Sequence, residues 1–440
     1  MPNARPEIRV ADEPLTTEEF KRALEQGLGR AILCLKKHDP ALYRYVVLEA
    51  CLFDTTDDPH CPETKAAYLL ECLNAFEDAA ALKTKVLKRF LRAPLEEDRP
   101  DPKLVLEMAK EQFPRARAVL YEQFSSVPLA QLTRSSGREI VDLDGLDGLL
   151  EIAPRFGAAL QDNPDFEPPW YHLRDLVADL GQEKVFAAFR ARNDRFADSF
   201  LERCLAKIKV FKAAREQSSR EDAGRDLHWA LNGILGVQKA SVFSLRYWGQ
   251  TAPEADLLEI ARTIPTLTDP EHLARALSVF ERRPFPLDYT GLMQWLEHSD
   301  ESVVWQAAQA LRHFSDPQLR AAALRLRDNP ATVREALKLL ERNMIETDWG
   351  WLQTLTANLS DDETEQLNIS VRDLIEENLS PRAQPVLMQL YESGSCAMCR
   401  SGIVELLHDL ECLPDWMLEE VLHDSYAYFR EKARAWAKPA

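Results

Sequence analysis

The apolar and polar positions of the C-terminal half repeat as one four-part slot. A turn or N-cap residue comes first, an apolar residue follows four places on, and small or apolar residues follow three, four and seven further along. Asp269 leads to Leu273, Ala276, Leu277 and Phe280, and Asp300 to Val304, Ala307, Ala308 and Leu311. Asn329 heads Val333, Ala336, Leu337 and Leu340. Ser395 heads Cys399, Gly402, Ile403 and Leu406, and Ser425 heads Phe429, Lys432, Ala433 and Trp436. A copy without a cap starts at Val371. Successive slots begin about 30 residues apart, the length of one helical hairpin in a repeat protein. Their offsets fall on a single helix face, so each slot is one apolar stripe. A lone hairpin leaves that stripe in water, and stacking hairpins buries it. The pattern therefore predicts an all-α chain of stacked antiparallel helix pairs.

The N-terminal half carries the pattern less regularly. Residues 1–15 read as a loosely packed tail. Thr16 and Glu19 have capping-box spacing, which predicts a helix from there to about residue 37. Asp39 opens a further slot through Tyr43, Val46, Val47 and Ala50. Helices are expected at about 62–76, 79–92, 102–112, 115–125, 170–180, 182–192 and 194–215, from their apolar period. The stretch 134–150 (RSSGREIVDLDGLDGLL) reads as the least helical, with Ile140 and Val141 as a short extended piece. Residues 216–224 (EQSSREDAG) have linker composition. The expected organisation is a divergent helical region over 16–215, this linker, and a regular region over 225–440. No sustained period-2 alternation occurs, so no sheet is expected.

Composition narrows the picture. Only 15 of 440 residues are glycine, and Ala, Leu, Glu and Arg are abundant, which favours helix. Acidic residues number 72 and basic ones 54, a net charge of −18. That field disfavours general binding to nucleic-acid phosphate and fits a protein partner with a basic patch. No apolar run reaches the length of a membrane helix, so no membrane partner is expected. The start, MPNARPEIRV, lacks a signal-peptide core, and eight cysteines are too dilute for a disulfide framework. Both readings point to a cytoplasmic chain.

The slot resembles the HEAT repeat. Val333-Arg334, Val371-Arg372, Cys399-Arg400, Phe429-Arg430 and Tyr43-Arg44 match that family's aliphatic or aromatic residue followed by Arg, while Ala274 and Trp305 depart from it at the Arg place. The resemblance is good over 269–440 and weak over 16–268. It implies a right-handed superhelical α-solenoid acting as a curved, non-catalytic scaffold or adaptor for proteins. It also implies an alternative, because the bacterial alkyl-base DNA glycosylases share this architecture and bind damaged DNA. Arg44, Arg334, Arg372, Arg400 and Arg430 are then structural, each reaching an acidic side chain or a helix-end carbonyl of a neighbouring unit.

Candidate chemistry is sparse. Cys396 and Cys399 form a CxxC, with His408 and Cys412 as the nearest further donors, but Cys399 sits in an apolar slot where a buried thiol acts as a small hydrophobe. His60, Cys61 and Cys72 form a looser group. Asp142, Asp144 and Asp147 resemble a calcium loop in the wrong register, with Leu146 and Ala153 at ligand places. No metal or other cofactor is expected. Candidate partner-binding residues are Trp305, Trp349 and Trp351, together with Lys85, Lys88, Arg89, Lys207 and Lys209 from two basic segments, 83–92 and 203–215. Phosphate-loop, dinucleotide, HExxH and GxSxG motifs are absent, so nothing positive argues for an enzyme.

Overall fold

A computed structural model describes residues 13–53, 62–93, 99–394 and 396–437, and these contain helices and no strand. Local sequence accounts for many helix starts. Thr16 and Glu19 form the capping box that opens Thr17–Glu25, with the Thr16 N–H donating to Glu19 Oε2 at 2.8 Å. Asp269 accepts from the N–H groups of Glu271 and His272, and Asp300 from those of Ser302 and Val303. Asn329 does not cap its helix. Its side chain closes a turn on the Ala331 N–H, and the helix Val333–Leu340 begins after Thr332. Ser395 lies outside the described residues.

The chain forms two compact units. One is built mainly from 219–394 and 399–413, the other mainly from 13–218 and 414–437. In the first, the slot helices pack in series. Pro270–Ser278 lies against Glu301–Leu311, which lies against Val333–Leu340, which in turn lies against Asp361–Glu377. Further helices join them, Pro317–Leu326 on Val333–Leu340 and Gln384–Ser393 on both Asp348–Ala357 and Asp361–Glu377. Most slot residues of this unit are buried. Leu273, Ala276, Leu277, Phe280, Val304, Ala307, Ala308, Leu311, Val333, Ala336, Leu337 and Leu340 are all in the core. Removing such stripes from water is the main force holding neighbouring helices together.

The second unit departs from simple sequence order. Its helices from Thr17–Glu25 to Arg195–Ala223 are joined by the last two of the chain, Asp415–Val421 and Ala427–Trp436, and Asp415–Val421 packs on Gly29–Lys37. Arg30 and Glu420 form an ion pair at 2.8 Å with both side chains 2% exposed. The Ser425 N–H donates to the Gly27 carbonyl at 2.8 Å. Gly29 permits the approach, since a Cβ there would sit 1.8 Å from the Glu420 carbonyl oxygen. The expected 225–440 region thus does not hold together as one piece, because residues 414–437 belong with the N-terminal helices.

Two local expectations are corrected. Residues 138–162 form two helical segments that meet at a kink at Gly145 (φ 57°, ψ −127°), so Ile140 and Val141 are helical and buried instead of extended. The linker-like 216–224 stretch is almost wholly the end of the helix Arg195–Ala223. Its Glu, Gln, Arg and Ala residues are good helix formers, and polarity alone does not stop a helix already propagating. The boundary between units nevertheless falls inside it.

Candidate functional site

The helix Asp348–Ala357 carries residues of one candidate site. Trp349 is 8% exposed and belongs to the core, which corrects its assignment as a surface anchor. Trp351, two places on, faces elsewhere. Together with Thr354, Leu355 and Asn358, at helical spacing, it lines a groove of about 460 Å³. Glu363, Gln366 and Leu367 of Asp361–Glu377 line it as well, with Val333 and Pro330. The lining mixes aliphatic and aromatic side chains with the charged or polar Arg327, Asp328, Asn358 and Glu363.

Arg327 is placed by a buried carboxylate. Asp348 sits 2% exposed at the helix start, held by the Arg320 fork at 2.6 and 2.9 Å and by the Ile345 N–H at 2.8 Å. Burial by itself raises the Asp348 carboxyl. The Arg320 hydrogen bonds and the Ile345 N–H outweigh it, so the group titrates below its ordinary value and stays ionised. The Arg327 guanidinium comes within 3.8 Å of the same carboxylate and lies 5.6 Å from the Trp351 ring centre. The indole is thereby held at a groove wall beneath a cation, an arrangement suited to an apolar or aromatic side chain from outside.

The third tryptophan, Trp305, is half-buried and carries the Arg334 guanidinium 3.6 Å from its ring centre. The residue that departs from the Arg series is therefore stacked by the Arg of the next slot. The other members of the series have separate partners. Arg44 forks onto Asp78, the residue preceding the helix Ala79–Arg92. Arg372 pairs with Glu376 at 3.2 Å on its own helix and occupies the space above Gly402. Arg400 is fully buried and donates to the Gly394 carbonyl at 3.3 Å. Arg430 donates to the Asp424 carbonyl and pairs with Glu71 at 2.9 Å.

Several cations of the basic segments are already engaged. Lys83 is committed to Glu111 at 2.8 Å, Lys207 to Glu167 at 2.6 Å, and Arg89 lies over the Phe53 ring at 4.9 Å. Lys85, Lys88 and Lys209 are exposed. The Asp142–Asp147 group is not a calcium cradle. Asp144 accepts from Arg117 at 3.0 Å and from the Tyr121 hydroxyl at 2.5 Å, while Asp142 pairs with Arg138 at 3.6 Å. At the head of Ala397–Asp409, the Cys399 sulfur and an oxygen of Glu365 lie within 4.8 Å of each other, and Cys396 is buried. His60 and Cys61 lie outside the described residues, and Cys72 is a core thiol pushed well above its ordinary range by burial.

One cluster escaped sequence reasoning. Lys338 and Glu341, each 2% exposed, pair at 2.8 Å, and Lys338 also reaches Asp373 at 2.5 Å while Arg312 reaches Glu341 at 3.0 Å. Burial pushes the Glu341 carboxyl up, opposed by Lys338 and Arg312. The only advance signal was a Lys and a Glu at i, i+3 at the end of a largely apolar slot helix. Every carboxylate here has a cation against it, so the cluster clamps adjacent helices. No family model matches the chain, and neither a curated protein nor a solved structure gives a significant match.

Proposed function

We propose that this chain is a non-catalytic, HEAT-like scaffold that binds a protein partner, its hairpins continuing the stack as a right-handed superhelix. The observation that carries this reading is the groove beside Trp351, about 460 Å³, lined by Trp351, Val333, Leu355 and Leu367 together with Arg327, Asp328 and Glu363. Its size and lining suit one bulky side chain and its flanking backbone, and buried aromatic anchors of this kind dominate protein interfaces. A second apolar feature in the same unit supports it. Phe243 is 59% exposed and packs on Tyr247 at 4.6 Å, with Arg282 4.3 Å from the Tyr247 ring centre. The net charge of −18 favours a partner segment bearing Lys or Arg beside its apolar anchor. The nucleic-acid alternative rests on Lys85, Lys88 and Lys209, which are exposed, while Lys83 and Lys207 are already paired with carboxylates.

The test places a photo-crosslinking residue at Thr354, an exposed position lining the groove. A discrete protein adduct is expected, lost when Trp351 is replaced by Ala and reproduced as a binary complex with the purified partner. An adduct indifferent to Trp351→Ala, or turnover by the purified chain, would count against the proposal.

A further inference from the structure

A second cavity, of about 320 Å³, lies in the N-terminal unit and shares no residue with the groove at Trp351. Its apolar walls include Phe90, from Ala79–Arg92, and Phe124, from Ala116–Ser126. One side is closed by the Thr133–Gly137 turn, whose hydroxyls hold one another, Thr133 Oγ1 to Ser135 Oγ at 2.9 Å and to Ser136 Oγ at 3.2 Å. Gly137 makes this closure feasible. Its φ is +76°, and a Cβ there would fall 2.8 Å from Ile152 Cδ1 and 3.1 Å from Phe124 Cε2. The turn therefore presses against the Phe124 ring as only glycine allows.

The cavity is also lined by a cation. Arg99 places its guanidinium 5.6 Å from the Phe90 ring centre. The nearby Arg155, over the Phe124 ring at 5.4 Å, is engaged elsewhere through its two Nη atoms, which donate to the Ser125 and Val127 carbonyls. A carboxylate is the best complement of a guanidinium, which it can meet through charge-assisted hydrogen bonds. The charge that fits is single. A dianion would bring a second buried negative charge beside Glu139, which lines the same cavity. The volume lies at the small end of ligand sites, enough for one ring and a short arm.

We propose that this cavity binds a small aromatic monocarboxylate, its ring between Phe90 and Phe124 and its carboxylate on the Arg99 guanidinium. The assignment is independent of the groove at Trp351.

The experiment is calorimetric titration of the full chain with 3-phenylpropionate, its neutral amide and phenylphosphonate. The carboxylate is expected to bind, the amide at least about tenfold more weakly, because it loses the charge-assisted pair. The dianion is expected to bind more weakly than the carboxylate above neutral pH. Arg99→Gln should abolish the preference for acid over amide, and Arg99→Lys should retain part of it. The comparison of probes on the unaltered chain needs no variant and stands even if Arg99→Gln misfolds. No heat of binding at millimolar carboxylate, equal binding of the amide, or tighter binding of the phosphonate would each overturn the assignment.

Discussion

Replacing Glu420 by Ala tests how the end of the chain is held. Its carboxylate meets Arg30 Nε at 2.8 Å across 390 residues of sequence, with both side chains 2% exposed. The substitution leaves a guanidinium in a site with almost no access to water. Removing one partner of a buried pair costs about 3–5 kcal/mol, most of it the desolvation of the charge left behind. At about 1.4 kcal/mol per tenfold, the opening of the terminal helices should become about two to three and a half orders of magnitude more frequent. Native-state hydrogen exchange reads this directly, as lost protection of the amides in Ala427–Trp436. Two controls isolate the cause. Glu419→Ala removes the neighbouring pair with Lys37, whose side chains are 32% and 48% exposed, and should change protection by no more than about 1 kcal/mol. Arg30→Met combined with Glu420→Leu removes both charges and should recover most of the loss. The reasoning fails if Glu420→Ala costs less than about 1 kcal/mol, or if the double replacement exchanges as fast as the single one.

Three further outcomes follow from the same structure. Gly29→Ala should destabilise by more than about 2 kcal/mol, since the new methyl meets the Glu420 carbonyl at 1.8 Å, whereas Gly350→Ala, with open space around it, should stabilise by about 0.5–1 kcal/mol; urea midpoints compare the two. Glu71, drawn down to about 2 by the His423 ring, then by Lys36 and Arg430 against the opposing effect of burial, adds stability that is complete above its ordinary value of 4.5 and lost as the pH falls from there toward 2. Glu71→Gln should therefore flatten the acid limb of the stability profile over that window. Lys338→Met should cost about 3 kcal/mol near pH 8 by leaving Glu341 buried beside Asp373 with only Arg312 against it. Because burial already raises the Glu341 carboxyl, protonation relieves that cost, and urea unfolding should show it shrinking as the pH falls.

The sequence by itself determined the helices and the faces they bury. Slot residues such as Leu273, Ala307 and Leu337 are core because a 3.6-residue period leaves them one side to occupy. Asp269 and Asp300 cap helices because a carboxylate two or three residues ahead of exposed N–H groups has a local partner, whatever the rest of the chain does. Tertiary structure decided everything that depends on which faces meet. Trp349 and Trp351 stand two residues apart, and only the packing of their helix sends one to the core and opens a groove beside the other. Lys338 and Glu341 look like surface charges until Asp373 and Arg312 arrive from neighbouring helices. The pairing of Arg30 with Glu420 leaves no periodic trace, because it joins residues 390 places apart and each supplies only half of the contact. Periodicity reports the direction in which a helix must be covered, and it carries no record of what covers it.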